Sequence, residues 1–197
     1  MNRLLIATRN AHKLAEIRTI LDLPDVEIVG ADEIAGLPEV EEDAETFEGN
    51  ALKKARTLRD ASGLWTLADD SGLEVDALNG APGVYSARYA GEPTDSAANN
   101  RKLLAALAGR TDRTARFRCV IALAAPDGRE WTVDGRCEGR IALAPSGAEG
   151  FGYDPLFVPE GHTISFAEMS SAEKNAISHR GRALAKAAAE WRDILGK

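Results

Sequence analysis

The chain has 197 residues, of which 44% are hydrophobic and 28% charged, with three Trp; that balance fits one folded soluble domain and excludes disorder. With 24 Lys+Arg against 31 Asp+Glu, the formal net charge of -7 argues against non-specific binding to nucleic acid or to an anionic membrane. No stretch approaches the roughly 18 to 20 apolar residues of a membrane span, and the N-terminus lacks a signal layout, so the cytoplasm is the expected location. Cys119 and Cys137 are too few and too far apart for a disulfide framework, a zinc ribbon or a redox pair, and are expected as small core residues. An anionic ligand would have to meet locally clustered cations or arrive with a metal ion.

Residues 4–7 read as a buried strand, followed by a helix with Leu14, Ile17 and Leu21 at one-face spacing. A second strand is expected over 26–29 and a polar loop over 32–43. Phe47, Ala51, Ala55 and Leu58 then give the next helix its apolar stripe, with Gly63 as C-cap. A strand over 65–68 runs into Asp69-Asp70-Ser71-Gly72, and residues 73–78 alternate in the strand manner before an Asn79-Gly80 turn and a Pro82-Gly83 loop. A helix over 94–107 ends towards Gly109. Phe117, Cys119, Ile121 and Leu123 alternate, Pro126-Asp127-Gly128 makes a turn, and 131–143 returns as the hairpin partner. Residues 170–195 are helical in composition, with a capping box at Ser170 and Glu173 and a candidate interruption at Gly181. Early βα alternation followed by a long hairpin predicts an α/β fold with a mixed, elongated sheet.

Thr8-Arg9-Asn10-Ala11-His12-Lys13 lies between the first strand and the first helix, where unpaired helix N–H groups and basic side chains suit a phosphate. An N-cap by Thr8 or Asn10 with solvated basic residues is the equally weighted alternative. The Asp69-Asp70 pair at the expected end of an apolar strand is sharper, because adjacent carboxylates there are costly unless they hold a metal or a proton. An Asp-rich turn capped by Gly72 is the plainer reading. Glu39, Glu41, Glu42, Asp43 and Glu45 precede the helix carrying Lys53 and Lys54. Alone they read as a solvated loop; with Asp70 they offer the few oxygen ligands that magnesium takes while keeping water and substrate phosphate.

Gly150-Phe151-Gly152-Tyr153-Asp154-Pro155 sets two aromatics among glycines, either as a stacking platform for a flat ring or as core filling at a tight turn. Lys174, Ser178, His179, Arg180 and Arg182 cluster near the C-terminus. Lys174 and Arg180 stand about 120° apart on an ideal helix, so both meet one ligand only if the helix bends, starts late or offers one of them from its end.

These stretches together resemble the inosine triphosphate pyrophosphatase family, also called dITP/XTP pyrophosphatases. The markers, in chain order, are Thr8-x-Asn10-x-x-Lys13, Thr46-Phe47-x-x-Asn50-Ala51, Ala68-Asp69-Asp70-Ser71-Gly72-Leu73, Gly80-Ala81-Pro82-Gly83-x-Tyr85-Ser86-Ala87-Arg88, Phe151-Gly152-Tyr153-Asp154-Pro155, and Glu173-Lys174-Asn175 with Ser178-His179-Arg180. The resemblance implies Mg²⁺-dependent hydrolysis of deaminated purine nucleoside triphosphates between the α and β phosphates, by a homodimer; the acidic charge balance is what argues against a nucleic-acid or membrane partner. It implies a single domain over 1–197, of α/β class, with two lobes around a long mixed β-sheet with flanking helices and the site in the cleft between lobes. Asp70 would be the general base and a metal ligand, and Glu42 the matching metal ligand with Glu41 one slip away. Thr8, Asn10, Lys13, Lys54 and Ser71 would hold the triphosphate, within a binding loop that includes Arg9, Ala11 and His12. Phe151 and Gly152 would meet the base, with Tyr153, Asp154, Lys174, His179 and Arg180 around base and sugar. Arg9 and His12 depart from the small residue and the glycine frequent at those positions in the family.

The chemistry agrees with the residue types, since phosphoanhydride cleavage needs mainly positioning, charge neutralisation and an oriented water. A non-catalytic nucleotide-binding or sensing module is the rival reading, and gains little from paired carboxylates facing phosphates. An aspartyl-phosphate enzyme would need a carboxylate after the first strand, where Thr8-Arg9-Asn10 offers none.

Overall fold

The computed structural model describes residues 3–21, 23 and 25–195. Six strands, β1 (Arg3–Ile6), β2 (Glu27–Gly30), β3 (Trp65–Val75), β4 (Thr114–Ala124), β5 (Glu130–Ile141) and β6 (Phe157–Pro159), form one sheet in the order β2-β1-β3-β4-β5-β6. β1 is parallel to β2, with Leu4 opposite Ile28, and to β3, with Leu5 opposite Thr66. β4 and β5 are joined by a turn over 125–129, and β6 runs antiparallel to β5. The fold is mixed α/β, as the alternation predicts. The helices are α1 (Ala11–Ile20), α2 (Phe47–Ser62), α3 (Ser96–Ala106), α4 (Ser171–Ile177), α5 (His179–Glu190) and α6 (Arg192–Leu195).

The chain divides into two compact units. The first holds residues 1–70, 119–135 and 180–197, and the second 71–118 and 136–179. Each has its own apolar core. In the first, Leu4 and Ile6 of β1, Leu67, Cys119, Ile121 and Leu123 pack with Ile17 of α1 and with Ala183, Leu184 and Ala187 of α5. In the second, Leu73, Val75, Phe117, Cys137 and Ile141 pack with Leu103 of α3 and with Phe157 and Phe166. β4 shows the change along its length: alternate residues Ala115 and Phe117 are buried, whereas every residue from Cys119 to Ala124 is buried, so the strand passes from one covered face to two. Cys119 and Cys137 are both buried and neither is joined in a disulfide, as expected of core residues.

Caps set the helix starts. Asn10 caps α1, Thr46 caps α2 through Gly49 N–H, Asp95 caps α3, and Ser170 with Glu173 completes the capping box of α4. Gly63, at φ +69°, closes α2 in the left-handed conformation that glycine adopts without steric cost.

The structure departs from the sequence expectations at three places. The strand-like alternation expected over 73–78 ends at Val75, and Asp76–Leu78 form a 3-10 turn. The strand expected to stop at residue 68 runs unbroken to Val75, so Asp69 and Asp70 lie within a strand and not at its end. The helix expected over 170–195 stops at Ile177 and starts again at His179, because Ser178 is extended (φ −67°, ψ 156°). Gly181, the expected interruption, sits inside α5. A helix that ends between Lys174 and Arg180 frees these residues from a fixed 120° relation. β6 and the 3-10 turns at Gly83–Arg88 and Phe166–Glu168 are too short to leave a periodic signal in the sequence.

Candidate active site

In the first unit the β1–α1 loop is organised by Asn10. Its side-chain oxygen accepts from the N–H groups of His12 (3.0 Å) and Lys13 (3.3 Å), and its own N–H donates to Thr8 Oγ1 (3.2 Å). The N-cap reading therefore holds for Asn10, and it leaves the Lys13 side chain to project from the first turn. Ala11 and His12 are exposed. Arg9 points to the following loop: its guanidinium donates to Glu39 (3.1 Å) and to the Leu37 carbonyl (3.0 Å), and lies 3.5 Å from Asp32.

Successive residues of a strand face opposite ways, and that period separates the two carboxylates. Asp69, 1% exposed, meets the Lys13 ammonium at 3.0 Å and the Arg180 guanidinium at 3.2 and 3.3 Å, all on Oδ2. Arg180, 2% exposed, also donates to Glu16, one turn beyond Lys13 on α1. Lys13, Asp69, Arg180 and Glu16 thus form an alternating-charge chain that returns to the helix where it began. Burial by itself would raise the Asp69 pKa, but Lys13, Arg180 and Lys54 outweigh it and hold the carboxyl far below its usual range. Burial works against the Arg180 charge too, and Asp69 and Glu16 overcome it, raising its pKa.

Asp70 meets α2 instead. Its Oδ2 accepts from Asn50 Nδ2 at 3.1 Å, and its Oδ1 lies 3.4 Å from the Lys54 ammonium, which donates to Glu42 at 2.7 Å. Burial pushes the Asp70 pKa up; Glu42 adds to the rise, while Lys54, Lys13 and the Asn50 hydrogen bond hold part of it back. Lys54 is itself buried, which opposes its charge, yet Asp70, Glu42 and Asp69 more than compensate and raise its pKa. Neighbours in sequence therefore differ in character: Asp69 is a locked anion, and Asp70 is a carboxylate with raised proton affinity.

Among the described residues, no group of three or more His, Cys, Asp or Glu is arranged to hold a metal alone. Glu42 and Asp70 nevertheless fit a magnesium ion. Both are hard oxygen donors converging on one cationic point, the charge on Asp70 is incompletely offset, and magnesium takes one or two carboxylates when water and phosphate oxygens complete its shell. Glu41 is exposed, and Asp43 pairs with Lys53 at 2.6 Å on the surface.

In the second unit Asp154 organises the glycine-flanked turn. Its Oδ2 accepts from Phe151 N–H (2.8 Å) and from the Lys174 ammonium (2.7 Å), and that ammonium lies 4.8 Å from the centroid of the Phe151 ring. Gly150 is required twice: its φ is +73°, and a Cβ there would stand 2.2 Å from Asp154 Oδ2. The Gly152 carbonyl accepts from Asn100 Nδ2 at 3.0 Å. Tyr153 is core, its hydroxyl donating to the Ser86 carbonyl at 2.8 Å, and burial raises its pKa. The His179 ring stacks on Phe117 with centroids 4.6 Å apart and an interplanar angle of 13°. Ser71, next to Asp70, opens this unit.

The structure therefore gathers Asn10, Lys13, Glu42, Lys54, Asp69, Asp70 and Arg180 in the first unit, and Phe151, Gly152, Tyr153, Asp154, Lys174 and His179 in the second. The Arg180 side chain, expected around the base, is engaged by Asp69 and Glu16. Sequence reasoning assigned no role to Asn50 or Glu16. Asn50 lies within the Thr46-Phe47-x-x-Asn50-Ala51 marker, and Glu16 lies three residues after Lys13, so helical spacing is the one signal for it.

A sequence model of the Ham1 family matches residues 4–190. A dITP/XTP pyrophosphatase of Desulforamulus reducens is 54% identical over 94% of this chain and 93% of its own length. One from Streptomyces coelicolor is 51% identical over the whole of both chains. Among solved structures, a HAM1 protein from Coxiella burnetii is 42% identical, covers 98% of this chain and all of its own, and superposes with a TM-score of 0.90. The Staphylococcus aureus Ham1 protein gives 0.88 at 41% identity, covering 97% of this chain and 98% of its own. With matches of that extent in both sequence and fold, the chain belongs to the Ham1 family.

Proposed function

We propose that this protein hydrolyses deaminated purine nucleoside triphosphates, ITP, dITP and XTP, to the nucleoside monophosphate and pyrophosphate. The observation that carries the reading is the contrast between Asp69 and Asp70: one carboxylate is held ionised by Lys13 and Arg180, while its neighbour keeps a raised proton affinity beside Lys54. A buried carboxylate of raised proton affinity beside an ammonium is suited to take a proton from water, while its ion-paired neighbour fixes the cations. The dITP/XTP pyrophosphatase activity of relatives at 51% and 54% identity supports the same reaction.

In this reading Asp70 takes a proton from water as the water oxygen bonds to the α phosphorus. The α–β bridging P–O bond breaks, and pyrophosphate departs with the electron pair. Lys13 and Lys54 meet phosphate oxygens, with Thr8, Asn10 and Ser71 as further donors. Asp69 keeps Lys13 aimed, and needs no proton of its own. Magnesium held by Glu42 and Asp70 would supply positive charge to the phosphates. The Phe151 ring offers a stacking surface to the purine, and Lys174, fixed by Asp154, is a donor suited to the C6 oxygen that hypoxanthine and xanthine carry and adenine lacks; guanine shares that oxygen and must be refused at its 2-amino group. Loss of one buried hydrogen bond to that oxygen is worth about 1 to 3 kcal/mol, or roughly 5- to 150-fold discrimination. A single domain over 1–197 and a homodimer belong to the same proposal and rest on the family resemblance; a cytoplasmic location belongs to it as well, and among the described residues no helix is long and apolar enough to cross a membrane.

The test is product analysis after incubating the protein and Mg²⁺ separately with ITP, dITP, XTP, ATP and GTP. Monophosphate and pyrophosphate from the first three, with little from ATP and GTP, is the expected result. Nucleotide binding without turnover by folded protein would make this a sensing module instead.

A further inference from the structure

We infer that Asn50 is a positioning residue for the reaction, fixing Asp70 against the acidic segment that carries Glu42; this inference rests on the pyrophosphatase reading above. Asn50 is fully buried at the first turn of α2 and makes polar contacts in two directions. Its Oδ1 accepts from Ala44 N–H at 2.9 Å, and its Nδ2 donates to the Ala44 carbonyl at 3.4 Å and to Asp70 Oδ2 at 3.1 Å. The side chain therefore joins the backbone two residues after Glu42 to the carboxylate proposed to take the proton.

The surroundings are built for that bridge. Gly49 has no side chain because a Cβ there would stand 2.8 Å from Ala44 Cβ and 3.1 Å from Thr46 Oγ1, so the acidic segment folds directly onto the first turn of α2. Thr46 holds the same turn by capping Gly49 N–H at 3.0 Å. At position 50 the site needs an acceptor for Ala44 N–H and a donor for Asp70 at once. A carboxamide supplies both from one short side chain. A carboxylate would face Asp70 with like charge, and an apolar group would leave Ala44 N–H and Asp70 Oδ2 without these bonds. With Oδ2 held by Asn50, the orientation of the Asp70 carboxylate is set, and Oδ1 is the oxygen turned to Lys54.

The test compares the full-length wild type with Asn50→Ala at a temperature well below both melting transitions. Initial rates with ITP and calorimetric binding of a non-hydrolysable α,β-methylene ITP analogue are measured. The expected result is a fall in kcat of about 10- to 100-fold, the scale of a misplaced reacting group, with KM and analogue affinity within about 3-fold of wild type. Adding Asn50→Ala to Asp70→Asn should lower the residual rate no further, since residues that act as one unit are non-additive. An unchanged kcat in folded Asn50→Ala, or equal losses of kcat and analogue binding, would overturn the inference. If Asn50→Ala does not fold, the Asn50 side-chain amide is followed by NMR in wild type and in Asp70→Asn. Displacement of that resonance on changing Asp70 supports the bridge, and an unmoved resonance overturns it. A wild type that turns over no nucleotide defeats the pyrophosphatase reading itself, whereas turnover by wild type and Asn50→Ala alike defeats this inference alone.

Discussion

Asp70 and Asp69 should separate cleanly on substitution, because one is placed for chemistry and the other for charge balance. Asp70→Asn removes the proton acceptor but keeps the size of the side chain, and kcat should fall by about 100- to 10,000-fold in initial-rate assays with ITP. Burial already disfavours the Asp70 charge, so a neutral amide there should leave the melting temperature unchanged or higher. Asp69→Asn should act in the opposite way. It leaves Lys13 and the buried Arg180 facing a neutral group, at about 3 to 5 kcal/mol of stability in urea denaturation. The pH dependence follows from the same ion pairs. The Asp69 pKa is lowered on folding, so its contribution is complete above the unfolded-state value of about 3.9 and drains away as the pH falls towards the folded value. The urea midpoint of the wild type should therefore drop as the pH is lowered from about 5 to about 2, and the slope should be smaller in Asp69→Asn. Asp70, with its pKa raised, contributes with the opposite sign, its share being lost as the pH rises through the folded value.

At the scale of elements, the informative pieces are the turn over 150–154 and the joint between α4 and α5. Gly150→Ala combines a left-handed backbone with a Cβ driven into Asp154, and it should detach the acceptor that holds both Phe151 N–H and Lys174. The expected outcome is a raised KM for ITP with a smaller change in kcat, since the loss falls on nucleotide binding and not on the attacking water. Unchanged kinetics in a folded Gly150→Ala protein would mean that the turn has no part in holding the nucleotide. At the α4–α5 joint, one extended residue, Ser178, lets Lys174 join Asp154 while Arg180 joins Asp69. A continuous helix over 170–195 would have fixed the two cations on diverging faces.

For the whole molecule, the two apolar cores each contain one cysteine, Cys119 in the first unit and Cys137 in the second. Burial, with Asp69 nearby, pushes the Cys119 thiol up to about 12, so little of it is thiolate near neutrality. Neither cysteine should react with a thiol reagent in the native protein, and both should react after unfolding. Rapid labelling of either one under native conditions would show that its core opens without global unfolding.

Much of the fold was legible because its signals are local. The apolar stripe Phe47, Ala51, Ala55 and Leu58, the cap Ser170, a cap at Thr8 or Asn10, of which the structure selects Asn10, and the alternation through Phe117 and Cys119 follow from side-chain period and backbone chemistry. The site was legible as a set of residue types in a recognisable order, which sufficed for the family. What the tertiary structure decided was the partnership of charges. Two adjacent aspartates read as a turn or a metal pair, until the strand period turns them to opposite sides and gives Asp69 to Lys13 and Arg180, and Asp70 to Asn50 and Lys54. Arg180 reaches Asp69 across 111 positions of sequence, a separation over which no periodicity carries information. Sequence determines which side chains sit on which face of an element; only packing determines which faces meet, and the electrostatics of a buried carboxylate depend on the second.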